Sequence, residues 1–246
     1  MPATNSLLDI AAALRGATMR LHDEGFGAPV AHIYNPLVYA WAPHATYLSR
    51  LGDKPGRVLL LGMNPGPFGM AQTGVPFGDV VAVRDWMGID ESVTRPADEH
   101  PKRRVLGFAS TRREGSGQRL WGWAARRFGT ADHFFERFVV LNYCPLLFLD
   151  GGGRNVTPVD VSAHDRERIE GVCDDALRAV LAAVAPSHVF GVGVYAERCV
   201  LRAVGDSTVP VGRILHPSPA SPAANRGWES AVEAALRASG VVVPTC

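Results

Sequence analysis

The chain has 246 residues, 47% of them hydrophobic and 20% charged, with a formal net charge of +1. That length supports one sizeable core, and the composition is that of a soluble globular protein. The near-zero charge excludes a global basic field, so a nucleic-acid partner would need a local patch. No run of 18 apolar residues predicts a membrane span, and no membrane partner is expected.

In chain order, Leu7, Ile10, Leu14, Ala17 and Leu21 fall at helical spacing with charges between them. This reads as an N-terminal helix and not as a signal peptide, so a cytosolic location is expected. Residues 58–61 form a short apolar run, expected as a buried strand. A long loop rich in Gly and Pro follows over 62–78. Helical spacing resumes over 118–128, and a second apolar run lies at 138–141. The clearest helix spans 160–184, with Thr157 expected as N-cap and Pro158 at its first position. Two more strands are expected at 188–192 and 209–215. A last helix over 226–238 should bury Trp228, Val232 and Leu236.

Strands alternating with helices predict an α/β fold. The expected architecture has three layers, α/β/α, around a central four-stranded parallel twisted sheet. One domain is expected over 1–246, with the N-terminal helix in 1–25 and the core in 26–246. Residues 68–117 and 144–158 are long irregular segments, which in a compact domain are usually functional. Cys144, Cys173, Cys199 and Cys246 contain no C-x-x-C pair. They are expected as reduced thiols, with no metal and no cofactor. A monomer is expected.

Open α/β sheets place ligand sites at the carboxyl ends of their strands. Three of the four runs end there in a polar residue: Asn64, Asn142 and His216. In a parallel sheet these ends lie side by side, so the three should converge on one crevice. Taken singly, each is more often a cap or loop anchor, at about two to one. Convergence beside the aromatic Phe77 and glycine-cleared space favours a site. The 62–78 loop is not a phosphate cradle of P-loop type. It lacks the G-K-[ST] ending, and its prolines remove N–H donors.

The run Gly62-Met63-Asn64-Pro65-Gly66-Pro67-Phe68-Gly69-Met70-Ala71-Gln72-Thr73-Gly74-Val75-Pro76-Phe77-Gly78 and the run from His216 to Trp228 resemble two signature motifs. These belong to the single-strand-selective monofunctional type of uracil-DNA glycosylase, within the uracil-DNA glycosylase superfamily. Further stretches are similar: Tyr34-Asn35-Pro36, Val83-Arg84-Asp85-Trp86, His100-Pro101-Lys102-Arg103, Cys144-Pro145-Leu146, and Gly153-Arg154-Asn155 with Thr157-Pro158. The resemblance covers roughly residue 33 onward. It implies a repair enzyme that flips uracil and 5-substituted uracils out of single- and double-stranded DNA, leaving an abasic site.

The residue chemistry agrees with that implication. Phe77 can stack on a flipped base, worth about 1–3 kcal/mol. The Asn142 amide matches the Watson–Crick edge of uracil, donating to O4 and accepting from N3–H, a pattern that cytosine reverses. His216 can donate to O2, where charge collects as the glycosidic bond breaks. Asn64 can orient a water but is no strong base. Met63 and Met70 are expected to line the pocket. Gly66 stands where some relatives carry a bulky residue, so the pocket should be roomy near C5 and tolerate 5-hydroxymethyluracil. Only Lys54 and Lys102 are lysine against 23 arginines, and neither falls in the pocket motifs. A Schiff-base lyase needs such an amine, so a monofunctional enzyme is expected.

The segment Pro217, Ser218, Pro219, Ala220, Ser221, with Asn225 and Arg226, resembles the family's DNA wedge. Ala220 and Ala223 depart from it, standing where longer polar side chains are expected. That predicts a weaker hold on duplex product. Candidate phosphate contacts are Lys102-Arg103-Arg104, Arg112-Arg113 and Arg154, although a charge run is usually only a solvated face. Other readings are a damage-binding module without turnover, a nucleotide-binding regulator, or an enzyme acting mainly on xanthine and hypoxanthine.

Overall fold

The protein is described by a computed structural model covering residues 5–244. In chain order its elements are α1 (Leu7–Glu24), β1 (His32–Tyr34), α2 (Pro36–Tyr39), α3 (Trp41–Leu51), β2 (Val58–Gly62), α4 (Met70–Thr73), α5 (Gly115–Phe128), α6 (Ala131–Phe135), β3 (Phe138–Asn142), β4 (Leu147–Leu149), β5 (Asn155–Val156), α7 (Ala163–Val184), β6 (His188–Val192), α8 (Val194–Val204), β7 (Val211–Ile214), α9 (Pro222–Asn225) and α10 (Trp228–Ala238). A single π-type turn at Ala82–Trp86 and a 3-10 turn at Gly107–Ala109 interrupt the long irregular segment.

The four expected strands form one all-parallel sheet in the order β3-β2-β6-β7. Every residue of β2 is buried, as a parallel strand covered on both faces must be. Helix α8 packs on β6 and β7, α7 packs on α8, and α1 lies against α7. The other side carries an aromatic cluster in which Trp123 contacts Phe128, Phe134, Phe138 and Trp228 edge to face. It ties α5, α6, β3 and α10 together, and such ring pairs add about 0.5–1.5 kcal/mol beyond burial. The expected α/β layering is the observed one.

Several boundaries differ, each for a local reason. Helix α1 begins at Leu7, where Ser6 and Asp9 form a reciprocal capping box. Thr157 and Pro158 do not start α7. The N–H and hydroxyl of Thr157 donate to Asp160 Oδ2 in a separate turn. The helix starts at Ala163, where Ser162 accepts from the N–H of Asp165. The last helix is split: Ser221 caps the short α9, and Gly227, with φ 138°, separates it from α10. Helix α5 begins three residues before the expected start, capped by Glu114.

The irregular segments also hold a second, three-stranded antiparallel sheet, β1-β4-β5, which the sequence did not suggest. Cys144, Cys173 and Cys199 are buried free thiols, while Cys246 lies outside the described residues. Among the described residues no helix is long and apolar enough to cross a membrane.

Candidate active site

Pairing of β2 with β3 sets Gly62 opposite Asn142 at the carboxyl end of the sheet. A side chain at Gly62 would force the Asn142 amide and the Phe77 ring to shift. A Cβ there would lie 2.4 Å from Asn142 Oδ1 and 2.7 Å from the Phe77 ring. The bare strand end therefore lets the ring of Phe77 and the amide of Asn142 meet. They border a cavity of about 430 Å³, within the range of small-ligand sites. Met63, Asn64, Gly66, Met70, Phe77, Asn142, His216 and Ser218 all line it. The three polar strand ends thus share one cavity. A smaller apolar void of about 60 Å³ lies behind Met70 and Asn142, against α1.

Phe77 has φ +53°, a left-handed conformation that a bulky residue adopts only when its surroundings impose it. Its carbonyl is clamped by α5. Trp121 Nε1 donates to it at 3.1 Å, and a Cβ on Gly117 would stand 1.9 Å from it. The ring lies 6.1 Å from the imidazole of His216, centroid to centroid. Asn142 donates through Nδ2 to Met70 Sδ at 3.3 Å, which leaves its Oδ1 on the Gly62 side. A thioether is a weak acceptor, so the amide is oriented but lightly held.

His216 follows β7. Its Nδ1 accepts from the N–H of Ser218 at 3.1 Å, so in the neutral ring the proton sits on Nε2. Burial holds its pKa below the ordinary imidazole value. Asn64 makes two long contacts through Nδ2, to Pro65 O and Leu146 O, both 3.4 Å. Among the described residues its Oδ1 accepts from no protein donor, so it is available to a water.

The other candidates lie outside the cavity. Pro217 is buried, Pro219 and Ala220 are exposed, and Ser221 serves as the α9 cap. Asn225 is held within the loop, donating to Pro219 O and accepting from Arg119. Arg119 also donates to the carbonyls of Pro217 and Ser218, a brace that the sequence did not announce. Arg226 is exposed, and among the described residues its side chain makes no hydrogen bond or ion pair. Among the basic runs, Arg113 is committed to the fully buried Asp79 and Arg154 pairs with Asp150. Arg103 and Arg112 flank the ring of Phe68 at 5.4 and 5.1 Å. Lys54 and Lys102 are exposed and do not line the cavity.

Several lining residues went unread in the sequence: Pro67, Gly69, Glu114, Ser116, Asn155 and Thr157. Asn155 Oδ1 is buried without a protein partner. Asn155 and Thr157 fall in a stretch that already resembled the family, so a signal existed. Glu114 carried none beyond its position before a helix. It also borders the room beside Gly66, where a Cβ would come within 2.9 Å of its Oε2. The expected space near C5 is therefore edged by a carboxylate.

Comparison with known proteins agrees with this geometry. The profile of the uracil DNA glycosylase superfamily matches residues 49–237. A single-strand selective monofunctional uracil-DNA glycosylase of Rattus norvegicus is 50% identical over 219 residues, 88% of this chain and 79% of that protein. The Bos taurus protein of that name is 46% identical over 230 residues, 91% and 85% of the two chains. A crystal structure of Pedobacter heparinus SMUG2, at 18% identity, has the same fold, with a TM-score of 0.64 over 92% of this chain and 98% of that one. With most of the chain matched at about half identity, and the strand-end cavity built from the matching segments, this chain belongs to the uracil-DNA glycosylase superfamily.

Proposed function

We propose that this protein is a monofunctional DNA glycosylase. It flips uracil, and 5-substituted uracils such as 5-hydroxymethyluracil, out of DNA and hydrolyses the N-glycosidic bond to leave an abasic site. The observation that carries this reading is the grouping of Phe77, Asn142, Asn64 and a His216 with its proton on Nε2 around one cavity.

A base inside a duplex is out of reach, so it must be extruded and read on its exposed edges. Phe77 offers the face for stacking, and its imposed backbone fixes where that face lies. With its Nδ2 on the Met70 side, the Asn142 amide would donate to O4 of a bound uracil and accept at Oδ1 from N3–H. Cytosine would set donor against donor there, and an unpaired buried polar group costs about 1–3 kcal/mol.

As the bond from C1′ to N1 breaks, its electron pair passes to the base and charge gathers on O2. The Nε2–H of His216 donates to that oxygen. One such preorganised donor supplies about 3 kcal/mol. The sugar, now cationic at C1′, is captured by a water held on Asn64 Oδ1. The water's surplus proton goes to solvent or to the departing uracil anion. Stabilisation of the leaving group carries most of the catalysis, because an amide cannot act as a strong base.

The test is release of free uracil from a uracil-containing oligonucleotide. Wild type should release it, and His216→Ala should slow release by ~10²–10³-fold with DNA binding retained. Binding without release by the wild type would instead mark a damage-binding module.

A further inference from the structure

Glu114 is, with His216, one of two titratable side chains that line the cavity. The excision chemistry does not use it. Its backbone N–H donates to Asp79 Oδ1 at 3.0 Å, and Arg113 beside it grips both oxygens of Asp79. Its Oε1 accepts from the N–H of Ser116 at 3.0 Å, which caps α5. The second oxygen, Oε2, accepts from no described backbone N–H, and the hydroxyl of Ser116 is the other protein group that favours the charged carboxylate. It sits where side chains at Gly66 or Gly69 would otherwise project, 2.9 and 3.2 Å from their would-be Cβ atoms. Capping explains one oxygen, and the other is held in place facing the pocket. Burial lifts this carboxyl above the usual range, as expected for a group with little water around it.

The position of Oε2 relative to a bound base follows from the ring itself, and so rests on the function proposed above. His216 takes O2, and Asn142 takes N3 and O4. The next substituent round the ring is on C5, and the next wall of the cavity is Met70, Gly69 and Gly66 with Glu114 over them.

We propose that Glu114 is a specificity-determining residue. Its Oε2 accepts a hydrogen bond from a 5-substituent that carries a donor, such as the hydroxyl of 5-hydroxymethyluracil. A bare 5-methyl group would strip water from that oxygen and return no hydrogen bond. Gly66 supplies the room, and Glu114 makes the room selective.

The test compares kcat/KM for uracil, thymine, 5-hydroxymethyluracil and 5-formyluracil in single-stranded oligonucleotides. Wild type, Glu114→Ala and Glu114→Gln are each assayed. Glu114→Ala should lower the ratio of 5-hydroxymethyluracil to uracil by about tenfold, the size of a hydrogen bond to a charged group. Glu114→Gln keeps an acceptor for Ser116 N–H and so keeps the cap. Its amide NH₂ then faces the base, and 5-formyluracil, an acceptor only, should gain on 5-hydroxymethyluracil. A purely structural role would change all four substrates together. An unchanged 5-hydroxymethyluracil to uracil ratio in both variants, with uracil still released, would overturn the role of Glu114. Failure of the wild type to release uracil would instead overturn the reading of the site, and this one with it.

Discussion

The N–H of Ser218 donates to Nδ1 of His216 across 3.1 Å, and this contact decides which imidazole nitrogen carries the proton. A protonated ring would bring Nδ1–H against Ser218 N–H, donor against donor. Burial acts in the same direction, pushing the pKa below the ordinary value of 6.5. The neutral form therefore persists at more acidic pH than a free imidazole would allow. Single-turnover uracil excision should stay level as pH falls through 6.5 and decline only below it. An inflection at or above that value would contradict the assignment.

Gly62→Ala should damage the site and leave most of the fold intact. The added methyl would meet Asn142 Oδ1 and the Phe77 ring well inside contact distance. Overpacking of this kind costs about 1–3 kcal/mol. Excision should fall roughly ten- to a hundredfold, with a melting temperature only a few degrees lower. An unaltered release rate would show that the ring and amide are free to move apart.

Asp79 is fully buried and receives Arg113 Nε, Arg113 Nη2 and the N–H of Glu114. Asp79→Asn keeps an acceptor for Glu114 and loses the charged pair. Because Arg113 is 46% exposed, solvent screens much of that pair. Urea unfolding should register a loss of about 1 kcal/mol for Asp79→Asn. Asp79→Ala, which orphans the Glu114 N–H, should lose about 2–3 kcal/mol. Equal losses would mean that the backbone bond contributes nothing.

Ala220 is exposed at the tip of the loop after His216. A longer side chain there would reach further into a duplex and fill the gap left by a flipped base. Ala220→Arg should therefore raise excision from duplex DNA more than from single strands. Equal change on both substrates would separate this loop from any wedging action.

No lysine lines the cavity, and Lys54 and Lys102 are both exposed. Borohydride treatment during turnover should trap no covalent adduct between protein and DNA through either side chain. A trapped species that disappears on Lys102→Ala would refute monofunctional chemistry.

The parts of this protein that could be read from sequence are those whose signals are local. The runs at Val58 and Phe138 are continuous and apolar because both their faces are covered. The polar ends at Asn64, Asn142 and His216 follow from parallel topology alone. Strands β1, β4 and β5 have three, three and two residues, too few for any periodicity to show. Thr157-Pro158 carries a true capping signal, which a turn satisfied first. Glu114 was invisible for a different reason. Its meaning lies in what it faces across the fold, Gly66 and Gly69, and a glutamate before a helix looks the same whether or not a pocket lies beyond it.

The first turns of α5 touch both halves of the site. Gly117 and Trp121 press on the carbonyl of Phe77, Gly115 lies against Pro219, and Arg119 holds the carbonyls of Pro217 and Ser218. The Phe77 ring and the loop tip are thus both mounted on α5, which sets the span between them. On the function proposed above, that span would act as a gauge to which the nucleic acid conforms. A supple single strand meets such a gauge cheaply, whereas a paired strand must first be unstacked to fit it.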